Sequence, residues 1–381
     1  MKLNYLFLGF VTVFLVFFLT SPSIAVRTSE IDKVRKKSVL DDEDFEIINN
    51  FLADAMTELL GTENFSSVSQ VRMAVLSRTT PDEESAQTQY QVSFFNSAYK
   101  QIGQALEKCL TIASEARRFR VTSNILILLD GLLAGDERQA RLLELAVKFI
   151  NDKNEVVRYW ALRCVTNPDL RQWLRVPGNS AVMQQVLNQM QEVVNKARPE
   201  TIKLIISFLA EIDASRSNEV LLQVADMRMK KYSDWVIKNE LLDMTVLKAL
   251  YTKISSAQSG KPELARRFGQ LYSYAMQMYI RDLQGGGFLT KDSRNQLISV
   301  LVEVENKCIG PLLGVRAESI RKAIENDDVR TLLQEHERLL GSEAQAGRLT
   351  QKLGFNYGTT KQGKVLNGPL LLPERPKEKA S

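Results

Sequence analysis

Between residues 136 and 166 the apolar positions recur every three or four residues, stop, and recur again. Leu142, Leu145, Ala146, Phe149 and Ile150 fall at i, i+3, i+4, i+7 and i+8, while Glu137, Arg141 and Lys148 lie off that stripe, which predicts an amphipathic helix. Asp136 stands where its N-cap belongs. The polar run Asn151 to Asn154 breaks the pattern. Val157, Trp160, Ala161, Cys164 and Val165 then begin a second stripe, which ends before Asn167-Pro168 because the residue before a proline avoids the helical region. The stretch is a helix hairpin.

The same period runs through most of the chain. The acidic run Asp41 to Asp44 suits the positive end of a helix reaching about Leu60. Val68, Val71, Val75 and Leu76 give a shorter stripe, and Ile102, Ala105, Leu106, Cys109 and Ala113 share one face of the next. Ile125, Leu126, Leu128, Leu129, Leu132 and Leu133 mark a deeply buried helix. Further stripes fall near 180–196, 199–213, 217–231, 234–256, 262–283, 291–307 and 315–340. Tyr272, Ala275, Met276 and Tyr279 share a face and read as core. Gly285-Gly286-Gly287 has no strand before it and reads as a helix stop and hinge, not a phosphate cradle. No stretch alternates with the period of two that a strand requires.

Within the second helix of the hairpin, the order Asp152, Val157-Arg158, Ala161, Cys164-Val165 resembles the second-helix signature of HEAT repeats, with Lys153 where those repeats often carry proline. The resemblance covers one repeat and does not recur recognisably. It implies an all-α fold, a HEAT-like α-solenoid of stacked antiparallel helix pairs, with a turn aspartate and Arg158 helping to link neighbouring repeats. An irregular α bundle would use the same apolar faces. The expected organisation is a leader (1–25), a linker (26–43), an N-terminal helical segment (44–96), a HEAT-like region (97–284), C-terminal helices (288–341) and a mobile tail (342–381). In that tail, Leu370 to Leu372 form one apolar patch, suited to docking on a partner or to tucking onto the last helix.

The first residues read as an export signal. Lys2 precedes an apolar run from Tyr5 to Leu19, and Pro22 breaks the helix before Ser23-Ile24-Ala25, which suits cleavage before Val26. A periplasmic or extracellular protein is expected. The alternative is a membrane anchor through residues 3–20, and the basic residues Arg27, Lys33, Arg35, Lys36 and Lys37 would then keep the body in the cytoplasm. Only 19 Gly and 10 Pro interrupt the 381 residues, and 44% are hydrophobic, enough to bury a substantial core. The net charge of +5 is spread over mixed-sign helices and gives no nucleic-acid footprint. The three cysteines, Cys109, Cys164 and Cys308, each sit in an apolar stripe and read as buried thiols.

Catalytic residue types are scarce. The single histidine, His336, lies in the charged run Gln334-Glu335-His336-Glu337-Arg338 and reads as a solvated residue. A triad or an imidazole metal site therefore lacks its carriers, and no nucleotide-binding loop or paired Cys motif is present. No cofactor, metal or catalytic residue is nominated. What remains is surface: Arg158, Tyr159 and Arg163 lie off the apolar stripe of the second hairpin helix and are the candidate contacts for a protein partner. The expected function is an exported helical-repeat scaffold. An envelope glycan hydrolase working through two carboxylates is the alternative, since that chemistry needs only a pair of acids in a cleft.

Overall fold

Capping chemistry and loop geometry set where the helical periods start and stop. A computed structural model of the chain describes residues 28–82, 87–134, 141–236, 238–256 and 260–376, so the expected leader, Asp136 and Glu137 lie outside the described residues. Among the described residues there are no strands, only two isolated bridges, Gly341 with Ala346 and Thr359 with Val365. No helix among them is long and apolar enough to cross a membrane. The protein is all-α.

Its chain divides into two units, residues 1–149 and 150–381, so the hairpin at 136–166 gives one helix to each. The first unit holds α1 (Ser29–Val34), α2 (Asp42–Gly61), α3 (Phe65–Leu76), α4 (Gln87–Leu110), α5 (Glu115–Leu132) and α6 (Leu143–Val147). Here α2 packs on α4, α3 on α5 and α4 on α6, while α2 with α3 and α4 with α5 pack as sequence neighbours. Contact with the next helix and the next but one is the order of stacked helix pairs, in which each pair buries its apolar stripe against the following pair.

The expected basic linker is structured. Ile31, Val34 and Leu40 are buried, and the charges around them are paired, Arg78 with Asp32 at 2.8 Å and Lys37 with Asp44 at 2.7 Å. The acidic run serves as a cap. Asp44 N–H donates to Asp41 Oδ1 at 3.0 Å and Asp41 N–H donates to Asp44 Oδ2 at 3.1 Å, a reciprocal box closing the start of α2.

The second unit holds α7 (Glu155–Val165), α8 (Arg171–Arg175), α9 (Ser180–Val193), α10 (Pro199–Glu211), α11 (Ser215–Ser233), α12 (Leu241–Ser256), α13 (Lys261–Arg281), α14 (Lys291–Val304), α15 (Gly310–Leu313), α16 (Ser319–Glu325), α17 (Val329–Leu340) and α18 (Arg348–Leu353). Two layers form. α9, α11 and α13 follow one another in the first, and α7, α10, α12 and α14 in the second, with α11 against α12 and α13 against α14 between layers. This is the HEAT-like stack, not an irregular bundle. The first layer ends at α13, which is also covered by α17 and α18. With neighbours on so many sides, every residue from Phe268 to Ile280 is buried.

Departures from the expected helix limits have local causes. The helix expected from 234 starts at Leu241, because Trp235 (φ 57°) and Asn239 (φ 60°) sit in the left-handed region and make a loop. A buried network holds that loop. Arg228 Nε donates to Asp243 Oδ1 at 2.5 Å and Nη2 to the Lys238 carbonyl at 3.0 Å, while the Tyr232 hydroxyl donates to Asp243 Oδ2 at 2.7 Å. Burial works against the Arg228 charge, but the Asp243 carboxylate outweighs it and the guanidinium pKa is raised. The glycine run does stop α13, with Gly285 at φ 103° and Gly287 at φ 51°.

All three cysteines are buried free thiols, and burial raises the pKa of Cys109 and pushes Cys308 up to about 12. Since the thiolate is the reacting species, the native protein is expected to leave Ellman's reagent unreacted over the time in which unfolded chain reacts fully. Rapid titration of any one thiol in the native state would contradict this placement.

Candidate functional site

The three residues nominated from sequence part company on α7. Asn154 caps the helix by accepting from Val156 N–H at 2.9 Å, and Val157, Ala161, Leu162, Cys164 and Val165 face the core. Arg158 is buried beside them and pairs with Glu155. Glu155 in turn accepts from the Thr201 hydroxyl at 2.8 Å and the Arg198 N–H at 3.2 Å, tying α7 to α10. Arg158 is thus buried in an ion pair within α7 and presents little surface to a partner, while Glu155 makes the bonds to α10. Tyr159 is half-buried and Arg163 exposed. Trp160, expected in the core stripe, is also half-buried: its ring meets Tyr159 edge to face at 5.7 Å, and the Arg163 guanidinium sits 5.1 Å from its centroid. Tyr159, Trp160 and Arg163 form one aromatic and cationic patch.

A second site lies on α13 and is filled by the chain's own C-terminal segment. Residues 342–376 are packed, not the free tail expected from their composition. Asn367-Gly368 crosses the turn at 341–347 so closely that a Cβ on Gly341 would stand 2.4 Å from the Asn367 carbonyl oxygen. Gly341, at φ 99°, is therefore required there. Tyr357 N–H donates to the Leu366 carbonyl at 3.1 Å and Leu366 N–H to the Gly358 carbonyl at 2.9 Å, folding 357–366 back on itself. The segment then runs along α13, not the last helix.

One stripe of α13 holds it, spaced at helical intervals along Arg266, Gly269, Gln270, Gln277 and Arg281. Arg266 Nε donates to the Asn356 carbonyl at 2.9 Å. Gly269 makes room for Tyr357, whose Oη would stand 2.7 Å from any Cβ. Gln270 accepts from Leu370 N–H at 2.8 Å and donates to the Leu370 carbonyl at 3.0 Å. Gln277 accepts from Leu372 N–H at 2.8 Å and donates to the Leu370 carbonyl at 3.1 Å. Arg281 donates to the carbonyls of Leu372, at 2.6 Å, and Pro373, at 2.7 Å. Beyond them, Arg375 lies 5.3 Å from the Phe288 centroid, and Phe288 meets Trp235 edge to face at 5.2 Å.

His336 supports this stripe from α17. Predicted to be solvated, it is only 8% exposed, because Leu332, His336, Leu339 and Leu340 form the apolar face of α17. Leu372 N–H must be met by the Gln277 carbonyl oxygen, which leaves the Gln277 amide to donate to Ser273 Oγ at 2.8 Å. Ser273 Oγ lies 2.8 Å from His336 Nε2, a hydrogen bond whose donor depends on the ring tautomer. Burial lowers the His336 pKa to about 4, which keeps the ring neutral near pH 7.

Two carboxylates do meet beside a cavity. Glu305 and Glu335 both take part with Ser319, whose hydroxyl is 2.7 Å from Glu335 Oε2 and 3.4 Å from Glu305 Oε1. Glu305, but not Glu335, lines a cavity of about 380 Å³ together with Leu313, Arg316, Lys322, Arg338 and Arg348 among others. Burial raises the Glu305 pKa. Both its oxygens are engaged, accepting from Ile320 N–H at 2.8 Å and Arg321 N–H at 3.0 Å, and Glu335 pairs with Arg338.

No family model matches the chain, and no curated protein matches it. Among solved structures, a mutant of Kap121p aligns at 12% identity over 81% of this chain and 33% of its own, with a TM-score of 0.37. Kap121p bound to Nup53p aligns at 12% identity over 82% of this chain and 33% of its own, with a TM-score of 0.34. An engineered protein aligns at 13% identity over 86% of this chain and 97% of its own, with a TM-score of 0.21. The chain spans about a third of the Kap121p chains.

Proposed function

We propose that this chain is an exported helical-repeat scaffold that binds a protein partner through the exposed side of α7. The observation that carries the reading is the Tyr159–Trp160–Arg163 patch: two half-buried aromatic rings and a cation on a helix whose other side is committed to the core. Trp, Tyr and Arg are the side chains that concentrate binding energy at protein interfaces. The leader motif supports export, and the scarcity of catalytic residue types supports binding over catalysis. Capture of partners by the mature chain from its own cell envelope tests the reading. The double variant Tyr159→Ala, Arg163→Glu should keep the native circular dichroism and capture at least roughly tenfold less, since losing one interface anchor typically costs 1 to 2 kcal/mol or more. Equal yield of the same partners would remove α7 as the binding face.

A carboxylate-based glycan hydrolase is the second reading, favoured by Glu305 at the cavity with Glu335 on the same Ser319 hydroxyl. It stands behind the first because Glu305 spends both oxygens on the backbone of α16 and Glu335 is held by Arg338. Glycan hydrolysis that survives the α7 double variant and disappears in Glu305→Gln would reverse the order.

A further inference from the structure

The contacts along α13 are unusual in what they ignore. Within residues 370–373, the groups that Gln270, Gln277 and Arg281 hydrogen-bond are all main-chain: two N–H groups and three carbonyls. These are the groups that any extended peptide presents, and meeting them with fixed side chains is how a surface binds extended chain without demanding its full sequence. Side-chain recognition is confined to two places. Leu372 is buried, whereas Leu370 and Leu371 are 51% and 75% exposed, so one leucine of the three is an anchor. Arg375 rests on the Phe288 ring, which is braced by Trp235. The occupant is also pre-shaped, because Pro373 biases the residue before it toward extended backbone.

We propose that this stripe of α13 is a binding groove for extended peptides, that residues 366–376 fill it in cis, and that a partner's segment can take their place. That segment would be extended and carry an apolar residue, then proline, then a basic residue two positions on, as Leu372, Pro373 and Arg375 do. The cis segment suits a replaceable occupant. It leaves two leucines in water, and its hold on α13 is a short row of hydrogen bonds and one anchor. The groove differs from the α7 patch in helix and in chemistry, so either assignment can fail without the other.

The experiment uses the full chain and a fluorescent synthetic peptide of residues 366–376. Leu372→Asp in the chain places a charge in the anchor site and releases the cis segment. Wild-type chain should bind the probe at least tenfold more weakly than the Leu372→Asp chain, and adding Gln270→Ala with Gln277→Ala should abolish the gain. A probe carrying the Leu372→Asp change should not bind. Amide exchange of the native chain is the second measurement and needs no variant. The amides of Leu370 and Leu372 should exchange at least a hundredfold faster than those of Tyr272 to Ile280, showing that the segment lifts off a folded α13. Two results would overturn the proposal: exchange of both sets at one rate, or a Leu372→Asp chain with a freely exchanging tail that still ignores the probe. The α7 double variant should bind the probe as its parent does, and loss of binding there would also count against a separate groove.

Discussion

Asp243→Ala is expected to destabilise the second unit by roughly 3–5 kcal/mol, the range for removing one partner of a buried ion pair. Asp243 is fully buried and Arg228 nearly so. With the carboxylate gone, the guanidinium keeps only the carbonyls of Lys238 and Asn239, at 3.0 and 3.3 Å, and the Tyr232 hydroxyl loses its acceptor. A buried guanidinium stripped of its bonded carboxylate, with only the Glu240 charge still acting on it, and an unpaired hydroxyl then remain in the layer between α11 and α12. In a unit of this size that loss lowers the melting temperature by on the order of 10 °C. Calorimetry checks it, and a shift within 2 °C of wild type, roughly the effect of a surface change, would show that the network does not hold the fold. Arg228→Met with Asp243→Leu should recover part of the loss, because it removes the unmatched guanidinium while the Tyr232 hydroxyl still lacks its acceptor. The same loop carries Trp235 against Phe288, so Asp243→Ala should also loosen the grip on Arg375.

How much of this was legible in sequence depends on range. Core stripes were readable wherever burial repeats with the helical period: Ile125 to Leu133 on α5 and Tyr272, Ala275, Met276 and Tyr279 on α13 are buried as their spacing predicts. Capping at Asp41 was equally local, needing only two acids three residues apart. The partner patch was half legible, since spacing placed Tyr159 and Arg163 outward but could not tell that Trp160 would join them or that Glu155 would bury Arg158. The α13 groove was not legible at all. Its two sides are about 90 to 100 residues apart in sequence, and a glutamine on a helix gives no sign that its amide will meet a backbone group at that distance. Two signals were present but unread: Gln270 and Gln277 stand on an otherwise apolar, tyrosine-rich surface, and Gly269 interrupts a helix that has no other reason to carry glycine. His336 was misjudged because its neighbours Glu335 and Glu337 are charged. Leu332, Leu339 and Leu340, at helical spacing around it, were the better guide.

The burial of His336 makes stability depend on pH in a defined window. Its folded pKa, about 4, lies below the ordinary imidazole value of 6.5, so between those values the unfolded chain binds a proton that the native chain does not. Stability from this residue is therefore complete above about pH 7, falls as pH drops through 6.5, and levels off near 4, a total loss on the order of 3 kcal/mol. The loss has a structural route. A charged imidazolium would sit in the buried chain His336–Ser273–Gln277 and require its hydrogen bonds to rearrange. Acid should thus weaken the hold on Leu370 and Leu372 before the stack itself melts. Denaturant unfolding at pH 7 and pH 4.5 measures the effect, with His336→Gln as comparison: the variant should lose clearly less stability between the two pH values than wild type, whatever its stability at pH 7. Parallel losses in the two proteins would mean that His336 stays open to solvent, and the hydrogen-bond chain from α17 to the tail would fall with it.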